Sequence, residues 1–230
     1  MSQSRNLPKH LIPCPINSIM GPAHIAQTKS RDCPFKHKEY HWPPLEPENY
    51  CFTLIGDSIV KYVKHLPTTY VHAYPGTRIE WVEQKIRNQV LRVGHYKLII
   101  FHLGCNNLHR QNEDEIEELF RSLISTTRIY NQTAPIVLSL VIPWVNESPL
   151  EKMRRERLNK KLIKLSTQIE NCKFFSTYKN FTAKYTKKAI PELYAGGEKG
   201  DGIHLSITGT EVMEQYLDGN IKSTKGSINY

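Results

Sequence analysis

No stretch of this 230-residue chain approaches the roughly eighteen consecutive apolar residues that a membrane-crossing helix needs, so a soluble protein is expected. Cysteine is scarce: the five residues Cys14, Cys33, Cys51, Cys105 and Cys172 are an odd number, scattered singly. They form no dense even framework of the kind that staples small secreted domains, and a reducing compartment is expected. A signal-peptide core is also missing, because Leu11 to Ile19 is interrupted by Pro13, Cys14, Pro15 and Asn17; the expected location is intracellular. Without secretory passage the sequons at Asn131, Asn146 and Asn180 are incidental. Cys33, His37 and His41, with Cys14 and His24 nearby, have tolerable zinc spacing, but no Cys-x-x-Cys pair accompanies them, and neither metal nor cofactor is expected. Internal repeats and low-complexity segments are lacking as well, which excludes solenoids and arrays.

Positive charge is abundant. The formal charge of +9 and pI near 9.2 suggest a polyanionic neighbour, either nucleic acid or an anionic lipid surface, and composition does not choose between them.

Residues 1–48 contain eight of the fourteen prolines and show no sustained apolar period, so they are read as an irregular arm. From Tyr50 short apolar runs alternate with amphipathic stretches, the mark of repeated βα units and a parallel sheet. Strands are expected at Cys51–Ile55, Tyr70–Tyr74, Leu98–Leu103, Ile136–Ile142 and Lys173–Ser176, and helices at Ser58–His65, Arg78–Arg92, Asp114–Tyr130, Leu150–Glu170 and Thr208–Leu217. Leu158, Leu162, Leu165 and Ile169 recur at helical spacing and should face the sheet. The expected architecture is a three-layer α/β/α, flavodoxin-like domain over residues 49–219 with a five-stranded parallel sheet, followed by a tail over 220–230. Lys184 to Ile203, with four glycines, reads as a mobile loop.

Three strand ends and one turn carry the chemistry. In an open parallel sheet ligands bind beyond the carboxyl ends of the strands. There the first strand gives way to Gly56-Asp57-Ser58, the second to Tyr74-Pro75-Gly76-Thr77, and the third to Gly104-Cys105-Asn106-Asn107. Ser58 taken alone reads as a helix cap. Gly76 lets a backbone N–H approach a ligand unobstructed, and Asn106 offers an amide donor. Near the C-terminus stands Asp201-Gly202-Ile203-His204. At this separation the aspartate can accept from one imidazole nitrogen while the other reaches a serine, the arrangement that activates a weak nucleophile. Alone, the same residues read as a turn aspartate and a surface histidine. Cys105 reads as a packed or pocket-wall thiol.

Taken in order, these motifs resemble the SGNH (GDSL-like) hydrolase family over roughly Tyr50 to Leu217. Gly-Asp-Ser is matched by Gly56, Asp57 and Ser58, the single oxyanion glycine by Gly76, Gly-x-Asn-Asp by Gly104 and Asn106, and Asp-x-x-His by Asp201 and His204. Asn107 departs from the family's aspartate, a change expected to alter local hydrogen bonding. The resemblance implies the SGNH fold and a serine hydrolase of acyl or acetyl esters working through an acyl-enzyme. Ser58 would be the nucleophile, His204 the base and Asp201 its orienting partner. Ser58 and Gly76 backbone N–H groups and the Asn106 amide would form the oxyanion hole, with Gly56, Asp57, Gly104 and Asn107 in support. The substrate implied is a small or medium acyl ester; oligomeric state is not legible.

One further feature stands outside that resemblance. Leu150 to Lys188 holds twelve lysines and arginines against three glutamates, an excess equal to the whole chain's formal charge. Arg154, Arg155, Arg157, Lys160, Lys161 and Lys164 are candidate contacts to nucleic acid or an anionic surface, with Tyr178, Phe181 and Tyr185 available for stacking. The bland alternative is a solvated helix face. The setting resembles the esterase domains of LINE-type retrotransposon proteins, which implies a second reading: a nucleic-acid-binding module with secondary or vestigial hydrolysis.

Overall fold

The computed structural model describes residues 39–42, 50–197 and 200–225. Cys14, His24, Cys33 and His37 lie outside the described residues, as does most of the proline-rich stretch. Among the described residues six strands form one sheet: β1 (Tyr40–Trp42), β2 (Phe52–Gly56), β3 (Thr69–Ala73), β4 (Leu98–His102), β5 (Ile136–Ser139) and β6 (Cys172–Phe175). Their order is β1-β3-β2-β4-β5-β6. Strands β2 to β6 are the five parallel strands expected; β1 is an unexpected sixth, antiparallel to β3 with His41 opposite His72.

Strands β2, β3, β4 and β5 are buried at every residue, as they must be when helices cover both faces. On one face lie α1 (Ile79–Arg87), α3 (Glu113–Tyr130) and α4 (Pro149–Gln168), packed on Ile55, Ile99, Phe101 and Leu138. On the other, α5 (Ile207–Lys225) sets Met213, Leu217 and Ile221 against Leu54, Val71, Ile100 and Val137. The stripe Leu158, Leu162 and Leu165 is fully buried, each side chain contributing roughly 1.5–3 kcal/mol. Capping boxes start two of these helices: Asn112 with Glu115, and Ser148 with Glu151 ahead of Pro149.

Three elements differ from expectation. The helix expected over 58–65 is a single 3-10 turn, Ser58–Val60. The Glu214 carboxylate on α5 takes the backbone N–H groups of Lys64 (2.6 Å) and His65 (3.0 Å), which a continued helix would have used itself. Strand β5 stops at Ser139 because the Asn159 side chain occupies both backbone groups of Val141, at 2.9 Å each. The stretch from Lys184 also holds regular structure: Thr182 bridges Ala189, Pro191–Leu193 is a 3-10 turn, and Tyr194 bridges Leu205. Among the described residues no helix is long and apolar enough to cross a membrane.

The chain leaves β2 for β3 on one side and reaches β4 on the other. The carboxyl ends of β2 and β4 therefore flank the point where strand order reverses, where open α/β sheets hold ligands.

Candidate active site

At the end of β2 the backbone passes close to β4. A side chain at Gly56 would place its Cβ 2.9 Å from the His102 carbonyl oxygen and 2.6 Å from Val60 Cγ2, so the strand can end here only on glycine. Asp57 follows and caps the 3-10 turn, its Oδ1 accepting the Ile59 N–H at 2.9 Å. This assigns the capping role to Asp57 and removes it from Ser58, whose half-buried hydroxyl makes no hydrogen bond among the described residues.

Burial pushes the Asp57 carboxyl up to about 6, against the lowering effects of the Ile59 N–H and of His204, whose charge acts on it across the crevice. A carboxyl raised by folding binds more protons in the folded than in the unfolded chain, so stability falls as pH rises between about 4 and 6. Asp57→Asn keeps the capping acceptor without the charge. Its melting temperature, followed from pH 4 to 8, should gain on the parent's through that window and stay above it at neutral pH. Parallel curves would mean that the carboxylate is hydrated.

Beyond β3, Thr77 N–H closes a turn onto the Tyr74 carbonyl at 2.9 Å, with Pro75 at its second position. Gly76, third in the turn, has φ +73°, the conformation a Pro-Gly turn of this kind requires. After β4, Gly104 precedes the short α2 (Cys105–Leu108). From α2 the Asn106 amide donates to the Thr77 carbonyl at 2.9 Å and reaches Asp57 Oδ2 at 3.5 Å, tying the three strand ends together. Asn107 is fully buried and structural. Its Oδ1 accepts the Ile79 N–H at the start of α1, while its Nδ2 donates to Glu80 and Gln111 at 2.9 and 2.6 Å. An aspartate has no hydrogen to give these acceptors, so the asparagine matches Glu80 and Gln111.

Asp201 and His204 meet within one turn. His204 Nδ1 lies 2.5 Å from Asp201 Oδ2, and Asp201 Oδ1 accepts the N–H groups of Ile203 and His204, each at 2.9 Å. Partial burial pushes the Asp201 carboxyl up, but these three donors outweigh it and hold the group below the usual carboxylate range. Gly202 has φ +68°, and a Cβ there would sit 3.0 Å from Val145 Cβ, so both backbone and space demand glycine. The turn is held from outside: Val145 N–H donates to the Gly202 carbonyl (2.9 Å), and Ala195 N–H to that of His204 (2.8 Å). The structure thus brings Asp201 and His204 together. It forms no Ser58–His204 hydrogen bond among the described residues, although His204 stands close enough to influence Asp57.

Two other residues with reactive side chains lie nearby, and the charged form of each is disfavoured. His102 is buried with its Nδ1 2.8 Å from Ser139 Oγ, and burial pushes its pKa down to about 4, leaving it neutral. Burial first, then the charge of Asp57, pushes the Cys105 thiol well above the usual range; it lines a small cavity with Ile59, Trp144 and Ile203. Sequence reasoning missed the pair that props this side of the crevice. Arg155 is a buried residue on α4, and its guanidinium forks onto Glu147 at 2.6 and 2.9 Å, two residues beyond Val145. Arg155 is therefore no surface contact. Arg154 and Lys161 are also committed, to Glu113 and to Asp114 and Glu117 on α3. Only a three-dimensional contact separates these cations from Arg157, Lys160 and Lys164.

No protein-family model matches the chain, and no curated protein matches it by sequence. Solved structures do. A GDSL-like lipase from Bacteroides thetaiotaomicron superposes with a TM-score of 0.59 at 16% identity, covering 79% of this chain and 91% of that one. A member of the lipolytic protein G-D-S-L family from Veillonella parvula gives 0.58 at 13% identity, covering 72% and 94%. A carbohydrate esterase family 3 structure from Talaromyces cellulolyticus gives 0.58 at 12% identity, covering 77% and 99%. The chain has the α/β/α fold of the GDSL-like, or SGNH, hydrolases.

Proposed function

We propose that this chain is a serine-dependent hydrolase of carboxylic esters, with Ser58 as nucleophile, His204 as general base and acid, and Asp201 as the partner that orients the imidazole. The observation that carries the reading is the division of labour in Gly56-Asp57-Ser58. Asp57 supplies the cap, so the serine hydroxyl at the ligand-binding end of the sheet has no structural duty. The Asp201–His204 contact supports it further, because a carboxylate on Nδ1 selects the tautomer whose Nε2 lone pair can accept a proton.

In the proposed reaction Ser58 Oγ attacks the ester carbonyl while its proton passes to His204 Nε2. The tetrahedral intermediate collapses, the C–O bond to the alcohol breaks, and His204 returns the proton to the leaving oxygen. Water then repeats the sequence on the acyl-enzyme. The oxyanion is assigned to the backbone N–H groups of Ser58 and Gly76 and to Asn106. One amide hydrogen of Asn106 is engaged by Thr77; the second meets Asp57 only at 3.5 Å and is the one available. Each preorganised donor contributes about 3 to 4 kcal/mol in the transition state. No step in this scheme calls on a cofactor.

Acetyl esters, the smallest of the acyl series, are the first substrates to try. The test is hydrolysis of p-nitrophenyl esters of graded acyl length by the parent and by Ser58→Ala, both checked for fold by circular dichroism. Parent activity that vanishes in the variant is the expected result. A folded parent inactive across the series would overturn the reading in favour of a binding protein.

A further inference from the structure

Three of the twelve cations between Leu150 and Lys188 are neutralised internally: Arg154 and Lys161 by acids of α3, and Arg155 by Glu147. The other nine, Lys152, Arg157, Lys160, Lys164 and five lysines from Lys173 to Lys188, have no carboxylate within salt-bridge distance among the described residues. The charge of this segment is thus partitioned: one flank of α4 is spent against α3 and the outer flank is left open. Arg157, Lys160 and Lys164 follow one another at helical spacing along that flank, over about 10 Å of helix axis, and all three are exposed.

A second element extends the same surface. The chain turns back on itself after Thr182, closed by the Thr182–Ala189 bridge and by Ala183 N–H donating to the Lys188 carbonyl at 2.8 Å. The tip of this hairpin carries exposed Lys184, Lys187 and Lys188 together with Tyr185, which is 87% exposed, with Lys184 Nζ 5.5 Å from the centre of its ring. Hairpin and helix converge on a hollow of about 220 Å³, where Lys160 from α4 and Lys187 from the hairpin meet Tyr178, Asn159, Thr182 and Glu156.

We propose that this face, formed by the outer flank of α4 and the 182–189 hairpin, binds single-stranded nucleic acid, its lysines following the phosphates and Tyr185 stacking on a base. A solvent-exposed aromatic ring on a lysine-bearing turn suits unpaired strands, because every base presents a π face while the phosphates supply the charge that lysines meet. A duplex keeps its bases stacked and offers Tyr185 nothing. A lipid surface fits less well: a helix that lies on a membrane inserts an apolar stripe beneath its cations, and the stripe of α4 (Leu158, Leu162, Leu165) is already buried on the sheet. This inference is independent of whether Ser58 hydrolyses an ester.

The test uses the full chain and fluorescein-labelled dT20 and U20 in anisotropy titrations from 50 to 200 mM salt, beside vesicles containing phosphatidylserine. Binding should weaken steeply with salt, since each neutralised phosphate of a single strand contributes about 0.7 to the log–log slope. Lys160→Glu/Lys184→Glu/Lys187→Glu should bind at least tenfold more weakly and flatten the slope by roughly 2. Tyr185→Ala, which leaves the charge intact, should weaken binding by about five- to a hundredfold with the slope unchanged. Circular dichroism and melting curves show whether the variants keep the fold of the parent. Absence of oligonucleotide binding at 50 mM salt overturns the proposal. So does equal binding by the charge-reversed chain, which would assign the affinity to another basic region. Binding of the vesicles but not of the oligonucleotides would overturn it in favour of a lipid surface.

Discussion

Replacing His204 by alanine is expected to lower kcat/KM for an accepted p-nitrophenyl ester by four to six orders of magnitude, about the loss that Ser58→Ala should give, and the double variant should be no worse than either. The reasoning rests on function as a unit. A serine without its base is a poor nucleophile, and a base without its serine has nothing to deprotonate, so the second deletion removes what the first has already disabled. Losses that multiplied would show the two residues acting independently and would sink the proposed partnership. Asp201→Asn should cost less, about 10⁴, because the imidazole survives but its tautomer is no longer selected. Residual hydrolysis would come from the proposed oxyanion donors at Gly76 and Asn106, which none of these variants touches.

The second large effect concerns stability. Arg155→Ala strands the Glu147 carboxylate at a site where the two side chains are only 2% and 7% exposed. Breaking such a pair from one side costs about 3 to 5 kcal/mol, because the remaining charge is neither solvated nor matched. For a domain of this size that is a fall in melting temperature on the order of 10 °C. Replacing both residues, as Arg155→Met with Glu147→Leu, should recover most of the loss, since an apolar pair of similar volume has no charge to desolvate. Urea unfolding of the single and double variants measures the difference. A single variant that lost under about 1 kcal/mol would mean that water reaches Glu147. The segment carrying Glu147 also holds the Gly202 carbonyl through Val145, so the single variant should lose activity by displacing His204 as well.

The fold was legible wherever a local pattern reported a local cause. The five parallel strands announced themselves as apolar runs, and the stripe of α4 as leucines at helical spacing. The strand ends were legible because glycine there answers a hard steric demand, as at Gly56 against the His102 carbonyl. What escaped were features whose cause lies far along the chain. Ile59, Val60 and Val63 are all buried and spaced like a helix, yet Glu214, some 150 residues away, takes the N–H groups that would have continued it. Asn159 ends β5 in the same manner. Of the candidate site, the order of its residues along the chain could be read, but not which neighbour took the cap. That Asp57 and not Ser58 holds the Ile59 N–H is a matter of side-chain rotation, to which sequence is blind. The basic segment shows the same limit: composition counts cations, whereas only packing against α3 separates those that are spent from those that are free.

The short strand β1 also decides how far the molecule can be trimmed. Its three residues cover the open flank of β3: Trp42 Nε1 donates to the Lys61 carbonyl at 3.2 Å, and His41 Nδ1 lies 3.1 Å from that of His72, itself 6% exposed. A shortened version starting at Tyr50, the point suggested by the change in sequence pattern, would bare a row of unpaired amides and carbonyls beside a buried imidazole. Such a row is a template for another copy's strand, so the cut would favour self-association along β3. Keeping residues 39–42 is the practical boundary for anyone preparing the domain by itself.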